Sequence, residues 1–121
     1  MKNKVALIIG AGSSLGSSIT KVFANDNFIV IPVRREGEKL KSLEDEINSK
    51  GGKCNSFSLD ARKEDDVINF IKKVENEIGE IEVAVYNIGA NIRYNLTETT
   101  SKKYFKVWEM ATLGAFLMGR E

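Results

Sequence analysis

Hydrophobic positions follow two alternating rhythms along the chain. Val5-Ala6-Leu7-Ile8-Ile9 is a continuous apolar run of strand length that ends at Gly10. From Ser13 the period changes: Leu15, Ile19, Val22 and Phe23 recur at helical steps and predict one apolar face. Phe28 to Val33 is again continuous and β-branched, with Pro32 near its end. Proline cannot donate to a ladder, so this strand is expected to stop there or to leave that amide unpaired. Leu40, Leu43 and Ile47 predict a second helix, closed by Lys50, Gly51 and Gly52. Cys54 to Leu59 reads as a weaker strand, with Phe57 and Leu59 on one face. Val67, Phe70, Ile71, Val74 and Ile78 predict a third helix, whose positive N-terminal end suits Glu64, Asp65 and Asp66. Ile81 to Tyr86 is a fourth strand, and the run from Asn87 to Asn91 reads as the loop after it. Thr97 to Thr100 can cap a last helix carrying Tyr104, Val107, Trp108, Ala111, Ala115 and Met118.

Four strand–helix alternations imply parallel strands, right-handed crossovers and helices on both faces. The expected fold is α/β, a doubly wound Rossmann-type parallel sheet. Nothing in the sequence suggests a linker or a repeat, so residues 1–121 are expected to form a single domain. The fourth strand is expected at a sheet edge beside the first.

Composition narrows the chemistry. Eighteen basic and 17 acidic residues give a net charge of +1, so neither nucleic acid nor an anionic membrane is expected as a partner. With no histidine and one cysteine, a zinc cage, a histidine-based triad and an internal disulfide are excluded. The single Cys54 fits a reduced, cytoplasmic compartment. No segment reads as a signal peptide or membrane span.

The first strand runs into Gly10-Ala11-Gly12-Ser13-Ser14-Leu15-Gly16 and then a helix. A pyrophosphate needs backbone N–H groups at close range and gains from the positive end of a helix, which is what a glycine-rich strand-to-helix turn provides. Ser13 and Ser14 add hydroxyl donors and are candidate helix caps. The second strand ends in Val33-Arg34-Arg35, with no carboxylate at the tip. Guanidinium at this place suits the 2′-phosphate of NADP better than the free ribose of NAD. NADP is therefore the expected cofactor, with NAD the alternative and Arg34 the better placed of the two arginines. Asp60, after the third strand, is either a helix cap or an acceptor for an exocyclic amine.

In these segments the chain resembles the short-chain dehydrogenase/reductase family, whose turn reads T-G-x-x-x-G-x-G. Gly10 and Gly16 match the outer glycines, Ile9 stands for the threonine and Ser14 for the middle glycine. The resemblance implies that Asp60, with Ala61 beside it, meets the adenine amino group. Tyr86-Asn87-Ile88-Gly89 matches the family's N-N-A-G at Asn87 and Gly89. The resemblance places this segment near the ribose, with the Asn87 amide tying neighbouring strands. The run from Trp108 to Phe116 is similar to the family's V-N-x-x-G-x-F helix, with Ala111 where the pattern has the asparagine of a proton relay. In this family the corresponding helix packs in a subunit interface, so a homo-oligomer is expected.

The implied activity is hydride transfer between a nicotinamide dinucleotide and a small carbonyl or alcohol. It uses a serine and a Y-x-x-x-K pair. Tyr86 precedes Ala90 at the fourth position, Tyr94 precedes Glu98 and Tyr104 precedes Trp108, so no tyrosine completes that pair. The chain is therefore expected to be the cofactor-binding part of such an enzyme, truncated before the catalytic residues and inactive alone. No catalytic residue and no metal ligand is nominated. A non-catalytic NADP-binding or association module is the alternative, and a methyltransferase or flavoprotein the more distant one.

Overall fold

A computed structural model describes residues 3–89 and 92–121. Strand β1 (Lys4–Ile9) leads into helix α1 (Leu15–Asn25), then β2 (Ile29–Arg34), a 3-10 turn (Gly37–Leu40) and α2 (Lys41–Ser49). The third strand is broken into β3 (Lys53–Cys54) and β4 (Phe57–Ser58). Helix α3 (Glu64–Glu77) and β5 (Glu80–Tyr86) follow, then α4 (Ser101–Trp108), a π turn (Glu109–Leu113) and α5 (Gly114–Arg120). The sheet is parallel throughout, with β3 and β4 both on β2, then β1, then β5 at the edge. Ala90 and Asn91, the end of the expected loop, lie outside the described residues.

The two continuous apolar runs are explained by burial on both faces of the sheet. Val5, Leu7 and Ile9 of β1, with Ile29, Ile31 and Val33 of β2, pack under Val67, Phe70, Ile71 and Val74 of α3 and Leu117 of α5. The alternate residues Ala6, Ile8 and Val30 pack on the other side with Leu40, Leu43, Ile47 and Cys54. A strand with only one buried face would show alternation instead. Among the described residues no helix is long and apolar enough to cross a membrane.

Three elements differ from their sequence pattern. In α1 the buried residues are Gly16 and Thr20, while Leu15 and Val22 are 60% and 66% exposed. The helix lies so close to the glycine turn that a Cβ on Gly16 would stand 2.6 Å from the Ala11 Cα. Close approach selects small residues, and Thr20 meets its own demand by donating to the Gly16 carbonyl at 2.7 Å. Ile19 and Phe23 remain on the inner face.

Pro32 does not end β2; it is fully buried and pairs in register with Ile8. The Val30 and Arg34 carbonyls accept from Asn55 and Leu59, so even-numbered residues of β2 face the third strand. Pro32 shares that parity, and its missing N–H falls between Cys54 and Phe57, where the third strand is interrupted. The amide is unpaired inside the strand and not at its end.

The last helix is unbroken from Ser101 to Arg120 but changes its winding midway. Thr100 caps it, its hydroxyl accepting from the Lys103 N–H at 3.3 Å, but the π turn separates α4 from α5. An extra residue in the turn rotates the face that follows. α4 therefore buries no residue, leaving Tyr104 61% and Trp108 41% exposed, whereas α5 docks through Gly114 and Leu117.

Candidate functional site

The carboxyl ends of β1, β2, β4 and β5 open onto a cleft of about 320 Å³. Seven of the nominated residues line it: Gly10, Gly12, Arg34, Arg35, Asp60, Ala61 and Ile88. Gly10 adopts φ +89°, a conformation that favours glycine, and a Cβ there would lie 2.5 Å from the Asn87 carbonyl oxygen. Its N–H donates to the Val33 carbonyl at 2.9 Å, which fixes the turn to the tip of β2. Gly12 has open space where a Cβ would stand, so its backbone is accessible from the cleft side.

Ser13, Ser14 and Leu15 are exposed beside the cleft and do not line it. Ser14 occupies the N-cap position of α1, yet its side chain makes no capping bond. The hydroxyls of Ser17 and Ser18 instead donate back to the Ser14 carbonyl, at 2.8 and 3.1 Å. The expected serine cap is thus absent, and the first-turn N–H groups lack that side-chain acceptor. Gly16 sits behind the turn as the point of helix–strand contact.

At the tip of β2, Arg34 is half-buried and Arg35 exposed. Among the described residues neither guanidinium has a carboxylate within ion-pair distance. The neighbouring Glu36 is held by Lys39, whose hydrogen bond keeps its carboxyl below the usual range. The tip is thus a cationic position with free donors. The following turn is pinned by the Gly37 N–H donating to the Ser58 hydroxyl at 2.9 Å.

Asp60 does not cap α3, whose N-cap position is Lys63. Its carboxylate is engaged by Arg62: Nε donates to Oδ1 at 2.9 Å, Nη2 to Oδ2 at 2.8 Å, and the Arg62 backbone N–H to Oδ1 at 3.1 Å. This fork holds the Asp60 carboxyl well below its ordinary 3.8, at about 2. Ala61 beside it is buried.

Asn87 joins two strand ends. Its N–H donates to the Ile9 carbonyl at 2.8 Å and its side-chain amide to the Gly10 carbonyl at 3.3 Å. Ile88 packs on the Gly10 side of the cleft, whereas Gly89 is exposed with open space around it. Tyr86 adds a contact across the fold: its hydroxyl donates to the Met110 carbonyl in the π turn. Burial raises the Tyr86 pKa, with the Asp60 charge adding to it. Gly114 lies directly against this hydroxyl, where a Cβ would overlap it.

Arg62, Tyr86 and Met110 are the residues that sequence reasoning missed. A two-residue acid–base spacing in a loop carries no periodic signal, and a tyrosine–carbonyl bond spanning 24 positions carries none either.

A parallel sheet with a glycine turn between its first strand and helix, and a cationic tip on the neighbouring strand, defines the mononucleotide-binding class of α/β proteins. The chain belongs to the short chain dehydrogenase family, whose sequence model matches residues 4–121. A short-chain dehydrogenase from Rhodopseudomonas palustris superposes with a TM-score of 0.92 at 42% identity, over 99% of this chain and 56% of that one. The 3-oxoacyl-acyl-carrier-protein reductase FabG of Thermotoga maritima is 34% identical over 89 residues, which cover 74% of this chain and 36% of that protein. A metagenomic short-chain oxidoreductase solved in complex with NADP shares the fold, at a TM-score of 0.91 and 24% identity over 99% of this chain and 55% of that one. The chain spans less than half the length of the curated relatives it matches.

Proposed function

We propose that the chain is the cofactor-binding portion of an NADP(H)-dependent oxidoreductase acting on a small carbonyl or alcohol. The observation that carries this is the cleft at the strand ends, with an uncapped helix start on one side and, on the other, two guanidiniums that form no ion pair among the described residues. The residues fit the cofactor. Gly10 and Gly12 let the backbone approach a diphosphate, and the first turn of α1 offers its N–H groups and dipole. Arg34, with Arg35 beside it, is placed to pair with a 2′-phosphate. Asp60 accepts hydrogen bonds and Ala61 leaves room for a base. Asn87 holds the Gly10 turn and the β5 end together, and Ile88 and Gly89 shape the wall beyond it. When bound, the nicotinamide supplies or accepts a hydride.

The tyrosines favour a second reading for these 121 residues by themselves, a nucleotide-binding module without turnover. Tyr86 is committed to the Met110 carbonyl, and none of the three tyrosines has lysine four positions on. The exposed aromatic face of α4 supports association between copies. The single cysteine, buried and unpaired, supports a cytoplasmic setting.

Calorimetric titration with NADPH, NADH and S-adenosylmethionine tests the reading. NADPH is expected to bind about tenfold tighter than NADH, as one charge-assisted contact warrants. Arg34→Ala is expected to abolish that preference. Equal binding of the two dinucleotides contradicts the NADP assignment, and tighter binding of the methyl donor contradicts the class.

A further inference from the structure

Asp60 is the expected acceptor for the adenine amine, yet Arg62 already fills two acceptor sites on Oδ1 and one on Oδ2. A carboxylate has about four acceptor sites, so the fork does not silence Asp60. It does fix where Arg62 lies. Two parallel N–H···O bonds hold a guanidinium close to the plane of its carboxylate, and the Arg62 backbone N–H, at 3.1 Å from Oδ1, closes the loop that carries both. Arg62 lines the same cleft as Ala61, Ile88 and Met110, which supply apolar surface around it. The side chain is 29% exposed, and Glu109 in the π turn adds a second negative charge that favours its cationic form.

Resting on the dinucleotide reading above, we infer that Arg62 forms a stacking wall for the adenine ring, held in place by Asp60. A guanidinium is weakly hydrated on its faces and stacks on flat π-systems, and an immobilised one loses little freedom when it does so. The Asp60–Arg62 pair therefore works as a unit: the carboxylate fixes the guanidinium, and the guanidinium face takes the ring. Purine nucleotides are the ligand class this wall accepts, whether or not the base carries an amine.

The test compares NADPH, 2′,5′-ADP, nicotinamide mononucleotide and nicotinamide hypoxanthine dinucleotide phosphate on the wild-type chain, Arg62→Ala and Arg62→Lys. Lysine keeps the charge and an ion pair with Asp60 but has no plane, so it separates stacking from charge. Both variants are expected to bind NADPH and 2′,5′-ADP about tenfold more weakly. Nicotinamide mononucleotide, which lacks the purine, is expected to bind them as it binds the wild type. The hypoxanthine analogue lacks the amine, so a stacking role predicts the same tenfold loss for it. A loss that vanishes with the analogue means that Arg62 merely positions Asp60, and overturns the wall. Unchanged NADPH binding in both variants overturns it too. A wild-type chain that binds none of the purine ligands overturns the dinucleotide reading itself, and the wall with it.

Discussion

The β1–β2 pair and the α4 segment are built on opposite terms. Every residue from Val5 to Ile9 and from Ile29 to Val33 is buried, whereas α4 buries none. In the strands each apolar side chain has a helix above or below it. In α4, Tyr104, Phe105 and Trp108 meet no core among the described residues. The cleft lies across this divide. The Gly10 turn is anchored to the interior strands through the Val33 carbonyl and the Asn87 amide, while the opposite wall, with Met110, is held by the Tyr86 hydroxyl and by Leu113 and Leu117 packing on the core. The glycine-turn side of the cleft inherits the stability of the core. The far side rests on the π turn and on the docked α5 beside it.

Paired truncations sharpen this contrast most strongly. Ile31→Ala is expected to cost about 3–4 kcal/mol, because Ile31 is fully buried and the strand cannot collapse around the lost volume. Trp108→Ala, a larger deletion, is expected to cost under about 0.5 kcal/mol in the monomer, as exposed substitutions do. Chemical denaturation of both variants checks the pair, and comparable losses would erase the distinction. Gly10→Ala is expected to cost about 2–3 kcal/mol, since it combines a positive φ with a Cβ 2.5 Å from the Asn87 carbonyl oxygen. It is also expected to weaken NADPH binding, and a fully stable variant would show that the turn is not anchored as described.

The smallest effect concerns acid. The Arg62 hydrogen bonds depress the Asp60 pKa from 3.8 to about 2, so the protonated form is disfavoured in the folded state. The sign follows: this stabilisation is complete above about pH 4 and is lost as pH falls through 2. Arg62→Ala is expected to flatten that part of the stability–pH curve, as measured by urea midpoints between pH 5 and 2. An unchanged slope would mean that the fork contributes nothing to folding.

The parallel sheet and the helices α2 and α3 were legible in the sequence because their periodicity and their burial coincide. Val67, Phe70, Ile71 and Val74 are apolar at helical spacing and buried on one face. Legibility failed where geometry rewards something other than apolarity. The inner face of α1 needs small side chains near the glycine turn, so Leu15 and Val22 misled the reading; Gly16 was read as part of the turn, and Thr20 went unnoticed. For Pro32 the sequence left a strand end and an unpaired amide equally open, because the gap in the third strand that accommodates it lies more than 20 residues away. In the cleft, the glycine turn, the arginines and Asp60 could be read from their positions after strands. Arg62 and the Tyr86–Met110 bond could not, since each depends on a loop conformation without a repeat.

Amide chemical shifts of the isotopically labelled chain, titrated with NADPH, test the central claim most directly. The account expects the largest shifts at Gly10, Gly12, Leu15, Ala61 and Gly89, saturating together at one site, with the Tyr104–Trp108 face unmoved. Shifts confined to that aromatic face, or none at the Gly10 turn under saturating NADPH, would contradict it.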